Sequence, residues 1–134
     1  MNKSAISDSM AKYIREVHDL MSIIVSEEDG IHIFSSFDQN TTPLKEKLVR
    51  LTTMIISSLK QCEGNLAKLK SPKTLNTVTF HYNDNVLHFF KNKHYFITLI
   101  MNPRSSGLQA AELSEEIATH FTTLNSIIPQ NKNQ

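Results

Sequence analysis

Apolar positions along this chain follow two different rhythms, and the places where one gives way to the other mark out its elements. Met10, Tyr13, Ile14 and Val17 recur at helical spacing, and Ser7 or Asp8 can accept a bond from free first-turn amides, so a short helix is expected from about Ser7. The run Ser22-Ile23-Ile24-Val25-Ser26 is rich in β-branched residues and too short for a helix, and it reads as a buried strand. Asp29-Gly30 separates it from a second apolar run at Ile31, Ile33 and Phe34. That dipeptide is a hairpin signal, because glycine accepts the positive φ of a tight turn. Phe37 to Pro43 reads as a loop.

A long helix is expected next, with Thr42 as its cap and Pro43 in its first turn, where a missing amide hydrogen costs nothing. Leu44, Leu48, Leu51, Ile55, Leu59 and Cys62 form one stripe at spacings of three and four, and Gly64 supplies a stop. Three strands follow at Thr74–Tyr82, Val86–Lys91 and His94–Asn102, joined by turns at Asn83-Asp84-Asn85 and Asn92-Lys93. In the first, Asn76, Val78, Phe80 and Tyr82 point one way and Thr77, Thr79 and His81 the other. The last is apolar almost throughout, which suits a central strand covered on both faces. A closing helix carries Ala110, Leu113, Ile117, Phe121, Leu124 and Ile128 in register, and Pro129 ends it.

The order is helix, two strands, helix, three strands, helix, and strands joined by hairpins run antiparallel. The expected fold is therefore α+β, an α/β/α sandwich around one five-stranded antiparallel sheet. A single domain is expected over 1–134, with its core at about 8–128 and frayed termini.

The second helix is apolar over more of its surface than one sheet can cover. Beside the stripe lies an arc of Val49, Thr52, Thr53 and Ile56, where a surface helix is normally charged. Two aliphatics and two small threonines there are expected to meet a helix of another chain. The strand that follows has a matching feature: Asn76, Thr77, Val78 and Thr79 include no charge and no proline, the usual devices that blunt a sheet edge. Helix and edge together predict dimerisation through a continuous sheet.

Composition narrows the functional classes. The chain has 134 residues, 40% hydrophobic and 20% charged, which fits a globular domain with a core. A formal net charge of +1, with Lys and Arg scattered, argues against a nucleic-acid binder. Cys62 is the single cysteine, so no internal disulfide can form, and a reducing compartment is favoured. No uninterrupted apolar run is longer than Leu99-Ile100-Met101, far from the length that spans a bilayer. The first residues carry neither a secretory core nor a myristoylation glycine, so membrane residence is expected only through a partner.

Catalytic chemistry finds no foothold in the pattern. Gly30, Gly64 and Gly107 are dispersed, so no phosphate loop exists. The histidines (His18, His32, His81, His88, His94 and His120) lack the i, i+4 spacing of a zinc helix, and they read as surface or partly packed groups. His81 and His88 across a hairpin are the one adventitious metal possibility. Glu27-Glu28-Asp29-Gly30 lacks the alternating ligands of a calcium loop and reads as a turn. Ser35-Ser36 and Ser105-Ser106 have no glycine-flanked elbow. The expectation is no catalytic residue, no cofactor and no metal.

Two stretches carry a family resemblance. IIVSEEDGIHI (Ile23 to Ile33) and HYNDNVLHFFKNKHYFITLIMN (His81 to Asn102), with the spacing Leu113, Ile117, Phe121 and Leu124, resemble the roadblock/LC7 family over roughly Asp8 to Ile128. Within it they are most similar to the MAP kinase scaffold subunits of Ragulator, the late endosomal and lysosomal adaptor. KNKH at Lys91 to His94 is more basic than that pattern, and Pro103 to Glu112 needs small length adjustments. The resemblance implies the profilin-like roadblock sandwich and a heterodimer with a second roadblock-fold subunit, paired through the second helix and third strand. It implies a lipidated anchor subunit that holds the pair on the cytoplasmic face of late endosomes or lysosomes. It also implies Rag GTPases, MAP kinase kinase and MAP kinase as partners in TOR and MAP kinase signalling. The alternatives are a roadblock-type dynein light chain, a homodimeric GTPase-regulating roadblock module, and a ligand-binding domain of similar form. The last would show a buried polar cluster beside a cavity of about 300 Å³ or more.

Overall fold

The computed structural model describes residues 3–68, 77–82, 84–92 and 94–127. Its first helix, α1, spans Lys3–Glu16, one turn earlier than expected. The reason is Ile6, which sits four residues ahead of Met10 and is buried with it, while Ser7 and Asp8 are exposed on the helix surface. Strand β1 (Leu20–Glu27) and strand β2 (His32–Phe37) form the predicted hairpin. Gly30 turns it at φ +98° and donates its amide to the Glu27 carbonyl at 2.9 Å. Their pairing shifts register between Val25 and Ser26.

Between this hairpin and the second helix, Asp38 organises the loop. Its carboxylate accepts the Thr41 amide at 2.8 Å and the Thr41 hydroxyl at 2.6 Å, and the same hydroxyl accepts from Ser22 Oγ at 2.9 Å. A 3-10 turn over Thr42–Leu44 then leads into α2 (Lys45–Lys68). Thr42 is not the cap expected of it: its hydroxyl donates back to the Asp38 carbonyl at 2.6 Å. Nor does Gly64 end the helix, which continues through it for another turn.

Strands β3 (Thr77–Tyr82), β4 (Asn85–Asn92) and β5 (Tyr95–Met101) complete the sheet, and α3 (Gly107–Ile127) closes the described chain. The expected start of β3 at Thr74 lies outside the described residues. Sheet order is β2-β1-β5-β4-β3 and every pairing is antiparallel. All seven residues of β5 are buried, as the unbroken apolar run predicted for a central strand.

Period-2 alternation sends side chains of the sheet into two separate cores. One holds Ile23, Val25, Ile97 and Leu99 beneath α1 (Ile6, Met10) and α3 (Ala110, Leu113, Ile117, Phe121). The other holds Ile24, Leu87, Phe89, Phe96 and Ile100 against Leu48 and Ile56 of α2. Two helices therefore cover one face and a single helix the other, and the strand order makes β2 and β3 the edges, each unpaired on its outer side among the described residues.

Candidate partner surface

A single helix on a five-stranded sheet cannot cover it, so how α2 is turned decides what remains open. Leu48, Thr52 and Ile56 are its fully buried residues among those described, spanning about 80° of the helix wheel. Thr52 can sit there because its hydroxyl donates to the Leu48 carbonyl of its own helix at 2.8 Å, leaving no unmet polar group. Thr52 and Ile56, expected on an open arc of the helix, are instead buried within the chain's own fold. Val49 and Thr53, half-buried, lie on the flank toward the β1–β2 hairpin. Thr53 Oγ1 donates to the Gly30 carbonyl at 2.9 Å, and Val49 lines a groove that His32 also walls.

The opposite flank carries the surplus apolar surface. Leu51 and Ile55 are half-buried, and Met54 between them is 62% exposed. Lys47 and Ser58 belong to the same arc of about 100°. Leu48 of the predicted stripe is in the core, whereas Leu51, Ile55 and Leu59 lie at its margin and Cys62 is exposed. The sequence shows an excess of apolar surface on this helix; in the isolated chain the most exposed apolar residue of this arc is Met54.

Strand β3 continues that flank. Val78 and Tyr82 pack at the margin of the same core as Leu51, Ile55 and Leu59, and Phe80 between them is 40% exposed. Lys47 Nζ stands 5.8 Å from the Tyr82 ring centroid, a cation–π contact that joins helix to strand. Thr77 and Thr79 are exposed on the other side of β3, as the alternation predicted; Asn76 lies outside the described residues. The outer edge of β3 pairs with no strand among the described residues, and nothing from Thr77 to Phe80 blunts it. Neither Met54 nor Phe80 was singled out from the sequence. Their signal was there, as an apolar residue among Arg50, Ser57 and Ser58 and as the middle member of the Val78, Phe80, Tyr82 alternation.

Behind β3, His88 is 4% exposed on β4. Its Nδ1 lies 3.1 Å from Thr79 Oγ1, its ring stacks 6.3 Å from Phe90, and its buried Nε2 has no hydrogen-bond partner among the described residues. Burial, and then the charge of His81, push its pKa below the ordinary imidazole value. His81 is exposed and pairs with Val86 rather than with His88. Among the described residues no group of three or more His, Cys, Asp or Glu is placed to hold a metal.

Among the described residues the size criterion for a ligand pocket is met between sheet and helix by the groove at Val49, of about 410 Å³ with exposed charged walls, and by an open cleft of about 340 Å³ beside α3 that includes Phe90, Lys91, Ser114 and Glu115. The cleft's polar groups do not form a buried cluster. Glu115 is exposed, Lys91 is half-exposed, and Ser114 bonds the Ala111 carbonyl of its own helix. No helix among the described residues is long and apolar enough to cross a membrane.

No family model matches the sequence, and no curated protein matches it. The fold does match solved structures. MglB of Myxococcus xanthus superposes with a TM-score of 0.70 at 10% identity, over 96% of this chain and 100% of that one. An MglB solved in a tetrameric arrangement gives 0.65 at 13%, over 86% and 83%. The Roadblock/LC7 domain of Streptomyces avermitilis gives 0.63 at 10%, over 91% and 96%. The chain has the roadblock/LC7 fold, with its sheet and three helices in the expected order.

Proposed function

We propose that this chain is a non-enzymatic adaptor subunit that works by pairing with a second roadblock-fold chain. The observation that carries this reading is the joined apolar flank of α2 and β3, with Met54 and Phe80 exposed beside an unblunted sheet edge. An exposed apolar surface of this kind next to an edge strand fits a partner that adds both a helix and a strand. The fold likeness to MglB, one structure of which is a tetrameric arrangement, supports self-association or association with a like chain. A stable pair needs about 1,000 Å² or more of total burial.

At the finer level the proposal is a subunit of a Ragulator-like complex. It rests on the resemblance of Ile23–Ile33 and His81–Asn102 to the MAP kinase scaffold subunits. The pair would be held by a lipidated anchor at the cytoplasmic face of late endosomes or lysosomes. It would serve Rag GTPases, MAP kinase kinase and MAP kinase. The second reading is a homodimeric GTPase-regulating module, the alternative that the roadblock resemblance leaves open.

Solution mass of the purified chain, alone and mixed with a roadblock partner from the same organism, tests the proposal. A one-to-one complex abolished by Met54→Glu with Phe80→Glu supports heterodimeric pairing. A homodimer abolished by the same pair favours the second reading. A monomer indifferent to that partner removes the adaptor proposal.

A further inference from the structure

The sheet has a second free edge, β2, on the side away from the surface just described. Its sequence, HIFSSF, contains no proline, lysine, arginine or acid, so it too lacks the usual protection against strand addition. Register with β1 places Ser35 opposite Ile24 and His32 opposite Ser26, so both face the α2 side of the sheet. There an open groove of about 410 Å³ is walled by His32, Lys45, Glu46, Val49 and Arg50. His32 belongs to both features, as the first residue of the bare edge and as a wall of the groove. Edge and groove are therefore continuous.

The charge of this groove selects its occupant. Lys45 and Arg50 supply two cations and Glu46 the one carboxylate on its walls. Burial, and then the charge of Lys45, lower the pKa of His32. Lys47, the next cation along α2, is turned away toward Tyr82. Val49 gives the groove an apolar floor. In an added strand every second side chain falls on the α2 face. A segment with acidic residues at those positions would set carboxylates against Lys45 and Arg50, while its backbone bonds to β2.

We propose that the β2 edge and its basic groove dock an extended acidic segment of another polypeptide as a sixth strand. This surface is at the opposite edge from β3, so it can be tested on the assembled pair as well as on the chain alone.

The probe is a fluorescein-labelled eight-residue peptide alternating glutamate with valine and threonine, with its lysine counterpart as control. Anisotropy should show saturable binding of the acidic peptide only. Lys45→Glu with Arg50→Glu, both exposed positions, should weaken it about tenfold. Amide hydrogen exchange should slow across His32–Phe37 on binding and stay unchanged across β3. Equal affinity for the lysine peptide, binding indifferent to the two charge reversals, or protection at β3 instead of β2 would each overturn the proposal. So would competition by free glutamate at equal concentration, or a doubling of solution mass that shows the edge taken by a second copy.

Discussion

Thr53 Oγ1 donates to the Gly30 carbonyl across 23 residues of chain, and this 2.9 Å bond ties the middle of α2 to the tip of the β1–β2 hairpin. Gly30 is held at φ +98°, where a side chain is strained, and a Cβ added there would stand 3.0 Å from the Thr53 carbonyl oxygen and 3.3 Å from its methyl. Gly30→Ala is expected to destabilise the fold by about 1–3 kcal/mol. Thr53→Val keeps the shape but not the bond and should cost about 1 kcal/mol. Urea unfolding of the two variants checks both; an unchanged midpoint for Gly30→Ala would mean that the hairpin tip is not fixed against the helix.

Stability should also fall on mild acidification, and His88 is the group responsible. Burial and then His81 hold its pKa below that of an exposed imidazole, and its Nε2 has no partner among the described residues to receive a proton's charge. A group whose native pKa is lowered binds its proton first in the unfolded chain as the pH drops. Its contribution is therefore fully present above about pH 6.5 and is lost below, down through the native value. His32, lowered by burial and then Lys45, acts in the same direction from a more exposed position. The fall in melting temperature between about pH 7.5 and about pH 5 should be smaller in His88→Leu than in the parent. Equal falls would assign the pH dependence elsewhere.

Much of this fold was legible because hydrophobic period and turn chemistry agree at each element. Asp29-Gly30 fixed one hairpin, and the unbroken run around Leu99 marked the central strand. Boundaries were less legible where a local signal lost to burial. Ser7 and Asp8 look like caps, yet Ile6 gains more by extending α1 into the core. Gly64 looks like a stop, yet α2 runs past it. The candidate surface was half legible. Absence of charge exposed the β3 edge, since that depends on residue type alone. The turn of α2 did not show, because periodicity locates an apolar arc without saying which part of a wide arc meets the sheet. Thr52 was the missing clue, a polar residue made fit for burial by a bond to its own helix.

The loop before α2 rests on one hydroxyl. Thr41 Oγ1 lies 2.6 Å from Asp38 Oδ1 and 2.9 Å from Ser22 Oγ, so its proton goes to the carboxylate while it accepts from the serine. Thr41 is buried, and Thr41→Val would strand Ser22 Oγ in the core and deprive the Asp38 carboxylate of one donor. The expected loss is about 1–3 kcal/mol. Thr42→Val, one residue on and exposed, should cost less than half as much, because the Asp38 carbonyl still accepts the Thr42 amide and water can replace the hydroxyl. Denaturant midpoints for the two variants decide it, and equal losses would count against the buried network.

A direct test of how α2 is turned compares two apolar residues two positions apart. Ile56 is fully buried in the same core as Leu48, whereas Met54 is largely exposed on the β3 flank. Ile56→Ala should therefore cost about 2–5 kcal/mol of folding stability in the isolated chain, from lost burial and the cavity left behind. Met54→Ala should stay within about 0.5 kcal/mol under the same conditions. Association should reverse the ranking. In a complex that buries Met54, its truncation removes a side chain worth roughly 1.5–3 kcal/mol and weakens binding about tenfold or more. Ile56→Ala should then affect binding only in proportion to unfolding. The two measurements, urea unfolding of the monomer and dissociation constant of the pair, place each residue independently. Met54→Ala destabilising the monomer as much as Ile56→Ala would put the sheet against the other arc, restoring Val49, Thr52 and Thr53 as the open face.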